Sequence, residues 1–206
     1  MATASGAKAA RSAMSDIEPL SQGACVTGVV LAGGRSSRMG CDKATLTWQG
    51  RSLLEHMRLL LLQVGADVVL SSGAGRGRDA IADQVAGAGP LGGIASVATH
   101  AADGWMLVVP VDMPRLTPGL LQELLRESIR SGRPALCYRG QPLPLCVRLD
   151  GHARATIAGL LAARSRGRSL RAMHRALHGE CLPVEPGMVA AFSNCNTPRD
   201  WEALQA

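Results

Sequence analysis

Aromatic residues are nearly missing, with three Trp, one Tyr and one Phe in 206 residues. Single-stranded nucleic acid binds on platforms of several exposed rings, so nucleic acid is not an expected partner. Lysine is scarcer still. Of 22 basic side chains, twenty are arginine and only Lys8 and Lys43 are lysine. No apolar stretch approaches the roughly twenty residues that span a bilayer, so no membrane partner is expected. None of the six cysteines lies in a C-x-x-C pair. That pattern reads as reduced, mostly buried thiols of a cytoplasmic protein. A Walker A loop and an H-E-x-x-H pattern are both absent.

What is present is a foldable chain. Apolar residues make up 47% and charged residues 18%, which excludes a disordered polar chain. The length suits one domain with a sizeable core. Residues 1–24, rich in Ala, Ser and Gly, read as a disordered tail, leaving 25–206 as a single domain.

Strand and helix signals alternate along that domain. Cys25–Leu31 is a β-branched run ended by Gly33 and Gly34, which predicts a buried strand. Ser52 with Glu55 three residues on forms a capping box before the apolar helix Leu53–Val64. Further strands are expected at Asp67–Ser71, Trp105–Val111, Pro134–Tyr138, Leu143–Arg148 and Met188–Ser193. Helices are expected at Ile94–Ala102, from Thr117-Pro118 to Arg130, at 153–164 and 169–177, and after Thr197-Pro198. The alternation predicts a three-layer α/β fold, a mostly parallel central sheet with helices on both faces, in which 134–148 forms an inserted hairpin. Ligands bind such sheets at the carboxyl ends of strands. The segments Gly33–Lys43, Ser71–Gly77 and Asp112–Arg115 fall there and should converge.

The first of these segments carries the strongest chemistry. It reads Leu31-Ala32-Gly33-Gly34-Arg35-Ser36-Ser37-Arg38-Met39-Gly40-Cys41-Asp42-Lys43. Glycines let backbone N–H groups approach one anion, and Arg38 and Lys43 add positive charge suited to a polyphosphate. The stretch resembles the nucleotidyltransferase signature L-A-G-G-x-x-x-R-M-G-x-D-K. Four further motifs follow: Gly89-Pro90-Leu91-Gly92-Gly93, Pro110-Val111-Asp112-Met113-Pro114, Gly167-Arg168-Ser169-Leu170-Arg171 and Asn194-Cys195-Asn196-Thr197-Pro198. Together they make residues 26–204 most similar to the molybdenum cofactor guanylyltransferases, with the Rossmann-like nucleotidyltransferase fold that this implies.

That resemblance implies transfer of GMP from GTP to the terminal phosphate of molybdopterin, giving the guanine dinucleotide cofactor and pyrophosphate with Mg²⁺. Leu31, Ala32 and Gly33 would hold the guanine and ribose through main-chain groups, and Asp83 matches an acid near the base. Lys43 and Arg38 would meet the triphosphate. Ser71 stands where the family has Asn beside the nucleotide. Asp112, between an apolar strand and a proline, would hold Mg²⁺, which favours one or two carboxylates plus phosphate oxygens. Arg38, Lys43 and Asp112 are the implied catalytic set. A phosphate nucleophile is already ionised, so no Ser/His/Asp array is required. Implied protein partners are those that deliver the cofactor and the molybdoenzymes that receive it.

Between Arg130 and Arg175 stand ten arginines and one acid, Asp150. Such a run forms a solvated face or attracts an anionic substrate. The family-like motif singles out Arg168 and Arg171, and Asn194 and Asn196 could bond the pterin or close an Asx turn before Thr197. Other readings compete. Gly87–Gly92 matches G-x-G-x-x-G with Asp112 twenty residues beyond, the mark of an NAD-dependent dehydrogenase, but no clear strand precedes it and Pro90 removes an N–H. Cytidylyl and sugar-phosphate nucleotidyltransferases share the first motif, and a non-catalytic binding relative would keep the fold. His174 and His178 with Cys181 have metal-ligand spacing, yet no second ligand pair accompanies them.

Overall fold

In the computed structural model, residues 24–33, 42–73, 79–85, 87–163 and 168–205 are described. The expected tail therefore lies outside the described residues except for Ala24, which packs against the core. Nine strands appear: β1 (Val26–Leu31), β2 (Thr47–Trp48), β3 (Arg51–Ser52), β4 (Val68–Ser72), β5 (Ala80–Ile81), β6 (Gly104–Pro110), β7 (Ala135–Tyr138), β8 (Gln141–Leu149) and β9 (Glu180–Leu182). Six α-helices accompany them: α1 (Leu53–Val64), α2 (Gly89–Ala98), α3 (Pro118–Ser131), α4 (Gly151–Ala162), α5 (Leu170–Ala176) and α6 (Pro198–Gln205).

Seven strands form one sheet in the order β5-β4-β1-β6-β8-β7-β9, while β2 and β3 make a separate ribbon. Strands β5, β4, β1 and β6 pair in parallel. Strand β8 runs antiparallel to both of its neighbours, so β7 and β9 again point the same way as β6. The expected mostly parallel sheet with a 134–148 hairpin is what forms.

Alternation along the strands explains the three layers. In β6, Trp105, Leu107 and Val109 join one core cluster while Met106 and Val108 join the other. The first cluster is covered by α1 and α3, through Leu53, Met57, Leu61, Leu121, Leu124 and Leu125. The second is covered by α2, α4 and α5, through Leu91, Ile94, Ile157 and Met173. Each fully buried side chain of this size contributes roughly 1.5–3 kcal/mol.

The caps follow the sequence closely. Ser52 accepts from Glu55 N at the start of α1, and Thr117 accepts from Leu120 N at the start of α3. Helix α2 begins at Gly89, five residues before the expected Ile94, with Pro90 in its first turn. Gly92 and Gly93 are thus helical, and the second has a packing reason. A Cβ on Gly93 would stand 2.6 Å from Ser72 Oγ and 3.0 Å from Ser72 Cβ, so only glycine lets α2 lie this close to the end of β4.

One expected strand is a correction. Met188–Ser193 is not extended: Pro186–Phe192 forms a 3-10 helix that buries Ala191 and Phe192 in the first core. Phe192 packs edge-on against Tyr138 with ring centroids 5.3 Å apart. The sheet edge beside β7 is formed by β9 instead, three residues ended by Pro183, which has no N–H for a ladder.

Candidate active site

At the carboxyl ends of β1, β4 and β6 lies a cavity of about 780 Å³. Its walls include Leu31, Ala32 and Gly33 after β1, Ser72 at the end of β4, and Val111, Asp112 and Met113 after β6. The backbone fixes this convergence, since Val111 N donates to Leu31 O at 3.1 Å.

Lys43 reaches the cavity from a short 3-10 turn, Lys43–Thr45. Asp42 caps that turn by accepting from Ala44 N at 3.1 Å, which aims the next side chain. Lys43 Nζ donates to Asp112 Oδ2 at 3.0 Å and to Asn196 Oδ1 at 2.6 Å. Asp112 Oδ1 has no hydrogen-bond partner among the described residues. Asp112 does not cap the helix that follows, because Thr117 does.

The chain's last motif is fastened to the same carboxyl end. Cys195 N donates to the Asp112 carbonyl at 2.9 Å. Asp200, which sequence reasoning did not single out, accepts from Asn196 N and Thr197 N at 3.0 and 2.8 Å, and its own N donates to Thr197 Oγ1. This closes a reciprocal cap on α6 and frees the Asn196 side chain for Lys43. Asn194 lines the cavity directly, whereas Asn196 touches it only through Lys43. The main-chain N–H groups of Asn196 and Thr197 are taken by Asp200 from within α6, and not by an Asx turn of these asparagines. Burial, followed by the Asp112 charge, pushes the Cys195 thiol up to about 11. It sits beside the ion pair as a neutral group.

Opposite Lys43, Asp83 lies against Gly33. A Cβ on that glycine would be 3.1 Å from Asp83 Oδ2. The segment carrying Asp83 is pinned to α2, since Gln84 N donates to Ser96 Oγ at 2.9 Å and Ser96 Oγ donates to Gly92 O at 2.9 Å. Partial burial raises the Asp83 carboxyl above its ordinary value.

Several expected residues fall elsewhere. Arg38, with the rest of 34–41, lies outside the described residues. Ser71 does not line the cavity: it is fully buried, and its neighbour Ser72 stands at the wall. Ser71 Oγ finds no hydrogen-bond partner among the described residues. Arg115 does not converge on the cavity either, because its guanidinium donates to Leu204 O at 3.0 Å. Arg168 donates to Ala163 O, and between it and Arg171 the apolar Leu170 lines the cavity. Gln141, Pro142 and Leu143 complete the wall. Sequence reasoning found their hairpin, but only the reversed direction of β8 brings its first residues to this end.

The dinucleotide reading fails on topology. Gly87–Gly92 follows the two-residue edge strand β5 rather than a central strand. The MobA-like NTP transferase domain aligns with residues 28–180. The chain belongs to this family.

A molybdenum cofactor guanylyltransferase from Xanthomonas euvesicatoria pv. vesicatoria (strain 85-10) is 49% identical over 179 residues, covering 86% of this chain and 93% of that protein. Among solved structures, molybdopterin-guanine dinucleotide biosynthesis protein A from Archaeoglobus fulgidus superposes with a TM-score of 0.69 at 23% identity, covering 86% of this chain and 95% of that one. The 2-C-methyl-D-erythritol 4-phosphate cytidylyltransferase of Thermus thermophilus superposes at 0.61 with 22% identity, covering 86% and 97%. This MobA-like chain is thus an enzyme of the nucleotidyltransferase class, and the resemblance drawn from its motifs holds. Among the described residues, no helix is long and apolar enough to cross a membrane.

Proposed function

We propose that this transferase moves GMP from GTP to the terminal phosphate of molybdopterin, with release of pyrophosphate, in the cytoplasm. The observation that carries the reading is the Lys43–Asp112–Asn196 cluster at the cavity, held where the three strand ends and the last motif meet. The 49% identity to a molybdenum cofactor guanylyltransferase over most of both chains supports the choice of substrates.

The donor set fits Mg²⁺. Asp112 offers a carboxylate at a strand end, with Oδ1 unclaimed among the described residues and Oδ2 held by Lys43. A hard cation of this size takes one or two carboxylates together with substrate phosphates. When bound, it would polarise the α-phosphoryl oxygens and neutralise charge on the leaving pyrophosphate.

The remaining chemistry belongs to the chain's own residues. Lys43 neutralises Asp112 in the unliganded site, and its flexible ammonium can turn to the arriving triphosphate, releasing the carboxylate. Arg38 would add charge on the phosphate side. Main-chain groups of Leu31, Ala32 and Gly33, with Asp83 opposite, would hold the nucleoside. A carboxylate accepting from two donors matches the N–H edge of guanine and finds no such edge on cytosine's ring. Asn194 would orient the phosphorylated pterin on the side of Gln141, Pro142 and Leu143. Because the nucleophile is an ionised phosphate, catalysis rests on positioning and charge neutralisation.

The test is direct. The chain is incubated with molybdopterin, Mg²⁺ and each nucleoside triphosphate in turn, and dinucleotide and pyrophosphate are assayed. Dinucleotide formed with GTP is expected. Product with CTP alone would replace the guanylyl reading by a cytidylyl one, the fold being common to both kinds of enzyme. No product with any triphosphate would overturn it.

A further inference from the structure

Away from the cavity, at the edge of the sheet, three ligating side chains meet. Cys137 comes from β7, Cys181 from β9 and His174 from α5, and their ligand atoms all lie within 4.8 Å of one another. Cys137 and Cys181 are directly opposed in the parallel β7–β9 register. Cys137 Sγ stands 3.6 Å from Cys181 Sγ and 3.5 Å from His174 Nε2. A tetrahedral ion with Zn–S near 2.3 Å and Zn–N near 2.0–2.1 Å needs S–S and S–N edges of about 3.8 and 3.5 Å. The two separations made by Cys137 are those of a ligand set, and the third lies within 4.8 Å.

From this we infer that Cys137, His174 and Cys181 form a binding site for Zn²⁺, with the fourth position open on the solvent side.

The imidazole is held in place by its surroundings. Gly179 N donates to His174 O at 2.8 Å, and His178 turns the chain there with φ 52°. A Cβ on Gly179 would collide with the ring, 2.5 Å from both Cδ2 and Nε2. Only glycine lets the ring lie flat against the chain that leads into β9. Nε2 also lies 2.9 Å from Glu180 O. In the metal-free protein the Nε2–H donates to that carbonyl. Zn²⁺ would take Nε2 and move the proton to Nδ1, while both thiols lose their protons to solvent, giving a site with no net charge.

His178, part of the sequence-level ligand pattern, is not in the cluster. Cys137 takes its place from a strand 37 residues before His174. A disulfide between the two cysteines is the competing chemistry, but it would use two of the three groups and leave the confined histidine without a role. The site also has something to hold. Helix α5 has seven residues, too few for independent stability, and its first residue, Leu170, lines the cavity. A metal at His174 would tie that helix to β7 and β9 and so steady one wall.

The test uses the full chain, stripped by chelator under reducing conditions and titrated with Co²⁺, then Zn²⁺. Expected are one Co²⁺ per chain, a thiolate-to-cobalt charge-transfer band with intense tetrahedral d–d absorption, and displacement by Zn²⁺. Cys181→Ser and His174→Ala, at solvent-accessible positions, should each weaken Zn²⁺ binding by more than the roughly 10–100-fold that an outer-shell change costs. His178→Asn should keep it, since Asn tolerates that backbone. Chelator should lower the Tm of the wild type and leave that of Cys181→Ser unmoved. Absence of the charge-transfer band in the reduced wild type, or its survival in both ligand variants, would overturn the site. So would a Cys137–Cys181 disulfide that forms equally fast with and without Zn²⁺.

Discussion

Lys43 Nζ lies 3.0 Å from Asp112 Oδ2, a pair that closes 69 residues of chain. Both side chains are mostly covered, 14% and 21% exposed. Neither is placed by its neighbours in sequence alone: a 3-10 turn capped by Asp42 aims one, and a central strand end aims the other.

Replacing Lys43 tests whether the ammonium is used as a point charge. Lys43→Ala should lower kcat/KM by about 10²–10³, the usual loss for one charge-stabilising contact. Lys43→Arg should recover only a small part. A longer, planar fork points its N–H groups in fixed directions, unlike the single ammonium that meets Asp112 at 3.0 Å and Asn196 at 2.6 Å. Steady-state kinetics with varied GTP and Mg²⁺ decides it, and wild-type rates in Lys43→Arg would deny lysine a special role.

Asp112→Asn keeps an acceptor for Lys43 and removes the charge. Turnover should fall by at least about 10², with the apparent requirement for Mg²⁺ raised and Tm changed little. Chelation should silence the wild type, and added Mg²⁺ should restore it. A variant with near-full, Mg²⁺-dependent activity would remove Asp112 from the mechanism.

Asp83 carries a pH prediction. Its folded pKa is raised by burial, so the native state favours the protonated form. The corresponding stability is present below the unfolded value, about 3.9, and is lost as pH rises through the folded value. Asp83→Asn should therefore have a higher Tm than the wild type at pH 7, with the difference closing as pH falls toward 3. The same variant should raise KM for GTP. A Tm gap that widens in acid would contradict the sign.

Tyr138 offers a test of the core that is independent of the site. It is fully buried, and its hydroxyl lies 2.9 Å from Leu120 O and 3.2 Å from Glu123 Oε2, two acceptors for its one proton. Tyr138→Phe should cost about 0.5–1.5 kcal/mol, a Tm drop of roughly 1–6 °C for a chain of this size. Activity below the transition should be retained, as read by calorimetry and a standard assay.

The parts of the fold visible in sequence were those with local signals. Ser52 and Thr117 announce their helices because a cap is a contact between residues three apart. The β-branched runs at β1 and β6 announce buried strands. The 3-10 helix at Pro186–Phe192 escaped because Met-Val-Ala-Ala-Phe is apolar in either conformation, and tertiary packing on Tyr138 decides between them. Strand β9 escaped because Glu-Cys-Leu carries no period. At the site, Lys43, Asp83 and Asp112 were legible through motif chemistry. The link from Asn196 to Lys43 was not, since it joins residues 153 apart in the chain; Asp200 closes a contact over three and four residues, a local cap of the kind that announces Ser52 and Thr117.

Strand β8 alone runs against the sheet, and this has a consequence for how such enzymes diversify. On the proposed nucleotide side much of the wall comes from the ends of β1, β4 and β6, where altering a loop disturbs the connection to the following helix. On the other side the wall is the first stretch of β8, Gln141, Pro142 and Leu143, entered from a two-residue turn at Arg139 and Gly140. Surface turns tolerate insertion far better than buried connections do. Lengthening that turn would remodel the acceptor side without shifting the register of any strand around the nucleotide. On the proposed function, one inverted strand would thereby make the acceptor side a replaceable part, while the strand ends opposite stay as they are.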